Sequence, residues 1–432
     1  MTQVQQRGPM ATDRQRLAEE RAIAIFDMPE VREARARTLA HFHADRNASQ
    51  PGQDALIEQS VDAHHFHAAL MAASETPEDP AFIWAIAAPH SWMGMGVPDS
   101  RFGQDNPDNC YRLAAIDPAR RYRVSGRLPN GDWATDFSLS AAAGQLGENI
   151  LADTRALITP DMIDLDAAGR FMIDVDADAT NGRRNHLCIA GARMLFARDT
   201  LGDWSRELPS ELDIACLDAG GGATFDMAVA AQRAAGLGET MARFMLEVLQ
   251  HGMFERGPLN ELMPPWSAGE NGGLATQASS LGHYRIEEDE AMVICAGQNG
   301  ARYMGMQITD IWMLSYNYWD RTSCLNHVQA SADGDGKVRW VISVRDPGVA
   351  NWLDSGGHRH GTILLRWQHL PAGTTLTAED ISTVTVPIGD IWDHLPADTR
   401  KAGPDERTAQ RRQRQVDYQR RLAGSSPHKD GS

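Results

Sequence analysis

The first part of the chain has the periodicity of amphipathic helices. Over residues 13–73, Ala, Leu, Glu and Arg dominate, and apolar residues such as Ala22, Ile25 and Phe26 recur at helical intervals. Residues 54–73 are predicted to form a separate helix with the run His64-His65-Phe66-His67. Only His64 and His67 share a helix face, and no third metal ligand lies nearby, so a surface or interface position is expected. We predict an N-terminal helical region over residues 1–80.

Strand periodicity follows a stretch rich in Pro, Gly and Trp at residues 77–107. Apolar and polar residues alternate over 122–128 and 133–139, on either side of Asn130-Gly131, which is the strongest short signal for a β-hairpin. Further strand-like runs cover 171–175, 186–195 and 212–217. No helix fits between them, so an antiparallel arrangement is favoured over a parallel one. The expected first β-sandwich domain spans residues 81–224.

A helical period returns between residues 225 and 254, where Gly236 and Gly238 predict a break into two helices. We interpret residues 225–275 as a helical connector. Strand patterns then recur at 291–296, 303–316, 338–344, 361–367 and 383–386, which predicts a second β-sandwich domain over residues 276–398. The predicted fold class is therefore mainly β with helical additions, in which two antiparallel, jelly-roll-like sandwiches are joined by helices.

The last segment, residues 399–432, differs in charge from the rest of the chain. From Arg400 onward, nine Lys or Arg face four Asp or Glu, although the whole chain carries −17. We expect a terminal helix that packs on its own acidic body or on a neighbouring subunit, which allows a homo-oligomer.

Composition excludes several classes of protein. A net charge of −17 argues against a nucleic-acid partner, because polyanions are bound by Lys and Arg. No apolar run approaches the roughly 18 residues that cross a bilayer, and residues 1–16 lack the apolar segment of a secretory signal. The five cysteines contain no Cys-x-x-Cys pair. A cytoplasmic protein without a membrane span is expected.

Unusual chemistry is concentrated between residues 303 and 367, where aromatic and ionisable side chains crowd consecutive predicted strands. Trp312, Leu314 and Tyr316 would share one strand face, and Tyr318 would join them if the strand continued. Such a face suits a sugar ring or an apolar polycyclic compound. The expected substrate-binding residues are Tyr316, Tyr318, Trp319, Trp352 and Asn326.

Two kinds of catalytic site are consistent with the polar residues of this region. His358 and His360 could share a metal ion if they lay on one strand face, with His327 or Asp354 as third ligand. The flanking glycines favour a loop instead, and the carboxylate that normally follows such a pair is missing, so we expect no metal.

The alternative is metal-free acid–base chemistry. His358 would be the general acid or base, Asp354 its orienting partner, and Asn351 and Arg366 would hold an oxygen-bearing group. The same residues also admit a structural interpretation, in which Asp346-Pro347-Gly348 is a turn that Asn351 caps.

The run 346–354 (Asp-Pro-Gly-Val-Ala-Asn-Trp-Leu-Asp), with Gly357-His358 and Arg366-Trp367 after it, resembles the bacterial family catalogued as domain of unknown function 1214. The segments 105–109 and 122–126 look like the first β domain of longer relatives. The resemblance is specific for residues 290–390 and looser elsewhere. It implies paired antiparallel β-sandwich domains and transfers no catalytic residues.

The leading hypothesis is an intracellular catabolic enzyme of the hydrolase or lyase type that needs no redox cofactor and acts on an apolar or aromatic small molecule. One alternative is a non-catalytic sandwich that binds carbohydrate or lipid through the aromatic face. Another is a metal-dependent enzyme that uses His358 and His360.

Overall fold

The computed structural model describes residues 8–144, 153–218, 225–267, 274 and 276–423. The chain divides into two compact units. Unit 1 comprises Met1–Arg101, Asn109–Ala242 and Asp417–Ser432, and unit 2 comprises Phe102–Asp108 and Arg243–Val416. The described residues contain six α-helices and are mainly β, which confirms the coarse fold class predicted from the sequence.

The α-helices are α1 (Asp13–Phe26), α2 (Pro29–His43), α3 (Gln53–Ala73), α4 (Met227–Arg243), α5 (His251–Arg256) and α6 (Pro404–Ala423), with a π-helical turn at Phe244–Gln250. The strands before α4 are β1 (Ile83–Ile86), β2 (His90–Trp92), β3 (Met95–Val97), β4 (Asn109–Ala115), β5 (Tyr122–Arg127), β6 (Asp136–Ala142), β7 (Thr154–Ile158), β8 (Arg170–Asp176), β9 (His186–Cys188), β10 (Met194–Thr200) and β11 (Glu211–Cys216). Those after it are β12 (Glu261–Leu262), β13 (Trp266–Ser267), β14 (Gln277–Arg285), β15 (Glu290–Gly297), β16 (Tyr303–Thr309), β17 (Cys324–Asn326), β18 (Lys337–Ser343), β19 (Trp352–Asp354), β20 (His360–Gln368) and β21 (Ile381–Pro387).

The predicted N-terminal helices are present, and α3 is their buried centre. His64, His65 and His67 are at most 1% exposed, so the surface position expected for them is wrong. His65 Nε2 lies 2.9 Å from the hydroxyl of Thr38, and His67 Nδ1 lies 2.8 Å from a backbone carbonyl. Burial lowers the pKa of His64 and His65 to about 3 and that of His67 to about 4. These imidazoles are neutral core side chains at physiological pH.

Helix α4 runs unbroken through Gly236 and Gly238, contrary to the predicted break. A side chain at Gly238 would collide with His65, because its Cβ would lie 2.4 Å from His65 Nδ1. Gly238 therefore serves close packing between helices rather than helix termination.

Two sheets of unit 1 share one apolar core. Sheet 1 has the order β1-β4-β10-β6-β7, and sheet 2 has the order β11-β5-β8-β9. Phe137 and Leu139 of sheet 1 pack with Val124 and Ile173 of sheet 2, and none of the four is exposed. Burying an apolar side chain of this size contributes about 1.5–3 kcal/mol, so this core accounts for the pairing of the sheets.

The predicted hairpin at Asn130-Gly131 is wrong. Gly131 does adopt the left-handed conformation of a turn, with φ +77°. However, β5 pairs with β8 and β11, whereas β6 pairs with β7 and β10. The chain crosses from sheet 2 to sheet 1 at this turn because both flanking strands contribute apolar side chains to the same core from different sheets.

Unit 2 has the same strand topology as unit 1. Sheet 3 has the order β12-β14-β20-β16-β17, with β13 beside β14, and sheet 4 has the order β21-β15-β18-β19. Each strand from β14 to β21 thus takes the place of the strand ten positions earlier. The correspondence extends to the parallel pairs β8–β9 and β18–β19, since the other pairings between strands are antiparallel. The two units are topological repeats of each other.

The predicted C-terminal helix is α6, and it packs on its own chain. Arg407 forms an ion pair with Asp346, with Nε to Oδ2 at 2.9 Å, and donates to the carbonyl of Ala350 at 3.0 Å. Arg414 donates to the carbonyl of Tyr318 at 2.8 Å. Residues 424–432 of the predicted tail lie outside the described residues.

Candidate functional site

Residues predicted for the site are divided among several places in unit 2. The loop before β20 holds His358, and β19 supplies Trp352 and Asp354. Arg366 lies near the middle of β20, on the face of sheet 3 opposite its apolar core, because Leu365 and Trp367 on either side of it are core residues.

The loop that resembles the family is held by structural contacts. Asp346 accepts a hydrogen bond from Gly348 N at 2.9 Å, so the predicted turn is present. The side-chain amide of Asn351 donates to the carbonyls of Ser331 at 2.7 Å and Arg339 at 3.0 Å, and its oxygen accepts from Ser331 N. With these bonds Asn351 fixes the loop, so its amide is occupied by backbone groups and is not presented to an oxygen-bearing substrate group as predicted.

The side chain of Arg366 also makes structural hydrogen bonds. Its guanidinium, 5% exposed, donates to the side-chain oxygen of Gln307 and to the carbonyl of Gln104. Beside it, the hydroxyl of Tyr303 donates to Asp108 at 2.6 Å. Burial and the Asp108 carboxylate raise the pKa of Tyr303 well above its usual value. These buried contacts attach the segment Phe102–Asp108 to sheet 3.

The expected aromatic strand face does not form. Strand β16 ends at Thr309, and Asp310 Oδ1 accepts hydrogen bonds from Trp312 N and Leu314 N, both at 2.9 Å. Met313 adopts φ +64° in the resulting turn. The carboxylate of Asp310 therefore turns the chain where the sequence pattern predicted a continuing strand.

The side chains of the aromatic residues serve different parts of unit 2. Trp312 and Tyr318 are buried, and Trp352 donates its indole N–H to the carbonyl of Ser343 at 3.1 Å. The indole of Trp319 packs edge-on against the ring of Tyr318, with centroids 5.5 Å apart. Asn326 is buried, and its oxygen accepts from two backbone amides in the following turn. An exposed aromatic platform for carbohydrate or lipid is not formed by these residues.

His358 and Tyr316 do meet. Their rings are stacked, with centroids 5.4 Å apart and planes 8° from parallel. The Tyr316 hydroxyl lies 3.3 Å from that of Tyr284, a residue of β14. Tyr284 can lie across β20 because residue 361 is glycine. A side chain there would collide with it, since a Cβ at this position would lie 2.7 Å from the Tyr284 oxygen. Burial raises the pKa of both tyrosines, so both hydroxyls keep their protons at neutral pH.

Asp354 is near His358 in the chain but does not orient it. Asp354 Oδ1 accepts from Gly356 N at 2.8 Å and lies 3.6 Å from Arg321 Nη1. Neither imidazole nitrogen of His358 hydrogen-bonds to any described residue. Burial, and then the charge of Arg321, lower the pKa of His358. Its neighbours thus keep His358 neutral, whereas a carboxylate partner would favour the protonated form.

Arg321 is part of this site, although the sequence analysis did not select it. Its guanidinium lies over Gly356, where a Cβ would come within 2.3 Å of Nη1, and its side chain is 28% exposed. Arg321 comes two residues after Trp319, and this position beside the aromatic residues was the available signal. The signal for Tyr284 was weaker, because apolar and polar residues alternate only weakly over Gln277–Arg285 and this segment was not predicted as a strand.

His360 belongs to another environment. Its ring packs edge-on against Phe254 at 4.9 Å and lies 6.0 Å from the ring of His283. Burial lowers the pKa of His360 to about 4. Within the described residues, no group of three or more His, Cys, Asp or Glu is placed to hold a metal ion. The geometry therefore supplies no metal site at His358 and His360.

A cavity of about 400 Å³ also lies in unit 2, away from the predicted residues. It is lined by Pro265, Trp266, Ser267, Thr276, Gln277, Ala278, His369, Leu370, Pro371, Thr374, Thr375 and Leu376. Among the described residues that line it, His369 is the only ionisable one, so they offer fewer groups for acid–base chemistry than the His358 site does.

We call Tyr284, Tyr316, Arg321, Asp354 and His358 the His358 site. It combines a neutral imidazole, two protonated phenols and a partly exposed guanidinium. These groups can accept a proton, donate hydrogen bonds and bind an oxyanion.

Among the described residues, no helix is long and apolar enough to cross a membrane.

Comparison with known proteins shows the fold but not the function. No protein-family model matches the chain, and no curated protein matches it. The chain is similar to the crystal structure of an uncharacterised protein from Burkholderia cenocepacia, with a TM-score of 0.70 and 22% identity over 87% of this chain and 99% of that one. The VPA0106 protein from Vibrio parahaemolyticus matches at a TM-score of 0.42 and 10% identity, over 76% of this chain and 96% of that one. The first similarity shows a shared fold, and the second is too low to carry an argument.

Proposed function

We propose that this protein is an enzyme of the hydrolase or lyase type, acting on an apolar or aromatic small molecule through His358. The observation that carries the proposal is the stacked His358 imidazole, which has no hydrogen-bond partner among the described residues and lies near the cation of Arg321. A neutral imidazole can accept a proton from water or from an acidic carbon of the substrate.

The other members of the His358 site have complementary roles in this proposal. Arg321 binds an oxyanion or carboxylate of the substrate, and Asp354 limits where its guanidinium can lie. Tyr316 supports the imidazole ring and, with Tyr284, presents hydroxyls that keep their protons. The chemistry requires no redox cofactor, because hydrolysis adds water across the bond that breaks, an elimination releases a proton and a leaving group, and neither passes electrons to an acceptor.

We also propose membership of the domain of unknown function 1214 family and a jelly-roll arrangement of the strands. The run 346–354 supports the first. The second is supported by the two mainly antiparallel sheets around one apolar core in each unit.

Product analysis tests the proposed activity. The wild-type protein is incubated with a panel of aromatic and aliphatic esters and β-substituted carboxylic acids, and the products are identified by mass spectrometry. His358→Ala should lower turnover by at least a hundredfold and leave the melting temperature within a few degrees, because a general base contributes about 10²–10⁴ to the rate.

His360→Ala is the matched control, since His360 contacts Phe254 and His283 instead of the His358 site. Its turnover should stay within a few-fold of wild type. Loss of folding and activity together in His358→Ala would contradict the assigned role. Equal loss of turnover in both variants, with metal in the purified protein, would favour the metal-dependent alternative.

A further inference from the structure

Arg198 lies in the middle of sheet 1, on the face opposite the apolar core. It is directly opposite Tyr111 on β4 and Ser138 on β6. Its neighbours Leu195 and Ala197 belong to the core, so strand alternation turns Arg198 to the other face. The side chain is partly exposed.

Within the part of the chain that the structure describes, this arginine has no carboxylate as a counter-charge. Its guanidinium carbon lies 3.7 Å from the centroid of the Phe196 ring, and Nη1 donates to the hydroxyl of Ser140 at 3.1 Å. No carboxylate among the described residues pairs with it. Burial lowers the pKa of Arg198 to about 10. Arg198 is only partly exposed, and a cation that is partly withdrawn from water without an anion beside it is costly to a fold.

A second polar group beside Arg198 also has no hydrogen-bond partner in the described ranges of the chain. Ser138 is 1% exposed, and its hydroxyl oxygen makes no hydrogen bond to any described residue. Buried hydroxyls are nearly always hydrogen-bonded. Arg198 and Ser138 lie directly opposite each other on neighbouring strands, so their side chains are on the same face of sheet 1.

Unit 2 provides an internal comparison. Arg366 occupies the same place on β20 as Arg198 does on β10. Arg198 is opposite Ser138, the third residue of β6, and Arg366 is opposite Gly305, the third residue of the equivalent strand β16. Both arginines donate to the side chain two residues further along that strand, Ser140 or Gln307. Arg366 then reaches a carbonyl of the chain, at Gln104. For Arg198 the described residues supply no such acceptor.

We propose that Arg198 and Ser138 form a binding site for the carboxylate of a small organic acid. One guanidinium and one hydroxyl match a singly charged carboxylate, whereas a phosphate dianion normally collects more donors. The rings of Tyr111 and Phe196, with centroids 5.6 Å apart, provide an apolar flank for the rest of the acid. The proposal does not depend on the His358 site.

Calorimetric titration with benzoate, inorganic phosphate and the neutral analogue benzyl alcohol tests the site. Wild-type protein should bind benzoate more tightly than either of the others. Arg198→Met should weaken benzoate binding at least tenfold, and Ser138→Ala should weaken it a few-fold. Equal benzoate binding by wild type and Arg198→Met, or no binding by wild type, would overturn the proposal. Tighter binding of phosphate would overturn the carboxylate assignment.

The melting temperature without ligand separates a ligand-binding arginine from a structural one. Arg198→Met should melt at or above the wild-type temperature, because it removes an uncompensated cation. Arg366→Met is the matched control, and it should melt at a lower temperature, because it leaves acceptors of unit 2 without their donor. A comparable loss in both variants would make Arg198 structural and contradict the proposal.

Discussion

At the scale of single residues, Gly305 shows how a missing side chain shapes unit 2. A Cβ at this position would lie 2.1 Å from the hydroxyl oxygen of Tyr303. That hydroxyl cannot move away freely, because it is bonded to Asp108 and Asn106. The glycine thus permits the buried network that attaches Phe102–Asp108 to sheet 3.

We predict that Gly305→Ala lowers the free energy of unfolding by about 1–3 kcal/mol, the usual cost of overpacking. Gly236→Ala is the matched control in α4, where a Cβ would meet nothing within 4 Å. It should raise the free energy of unfolding by about 1 kcal/mol through helix propensity. Urea unfolding measures both, and an unchanged midpoint in Gly305→Ala would argue against the tight packing of Tyr303.

At the scale of elements, α3 brings three neutral histidines into the core of unit 1. The pKa of His64 and His65 falls to about 3 and that of His67 to about 4, from an ordinary value of 6.5. The unfolded chain therefore binds more protons than the folded chain below pH 6.5. The contribution of these histidines to the free energy of unfolding is fully present above that pH and is lost progressively as the pH falls toward 3.

Each histidine should lower the free energy of unfolding by about 1.4 kcal/mol for each pH unit below 6.5. Unfolding free energies at pH 7.5 and 5.5 should differ by roughly 4 kcal/mol from these three residues. His65→Gln should reduce the difference by about a third, because it removes one of the three buried imidazoles. A difference that His65→Gln does not alter would show that His65 titrates normally in the fold.

Elements were predictable where local pattern and tertiary packing agree. The N-terminal helices, α6 and strands such as β15 and β18 follow their sequence periodicity. The pairing of β5 was not predictable, because Asn130-Gly131 makes the expected turn but the next strand enters another sheet. The end of β16 was missed because the Asp310 carboxylate, not an apolar pattern, turns the chain.

At the scale of the whole molecule, the candidate site was only partly predictable, and the topological repeat supplies a pair of equivalent residues that illustrates the reason. The sequence analysis selected His358, Asp354 and Tyr316, which do lie near one another, but also Asn351 and Arg366, which bind backbone groups elsewhere. Residue types alone cannot tell an arginine that fixes a segment of chain from one that is free to bind a ligand. The two topologically equivalent arginines differ in this respect although both follow the same strand pattern.

We conclude that His358 is a neutral base without a hydrogen-bond partner among the described residues, and that burial and Arg321 lower its pKa. Titration of the labelled imidazole by nuclear magnetic resonance, assigned with a His358→Gln variant, tests it most directly. We expect a pKa below 6.5 that rises in Arg321→Gln, because removing the guanidinium removes a charge that disfavours protonation. A pKa at or above 6.5, or one that does not respond to Arg321→Gln, would contradict it.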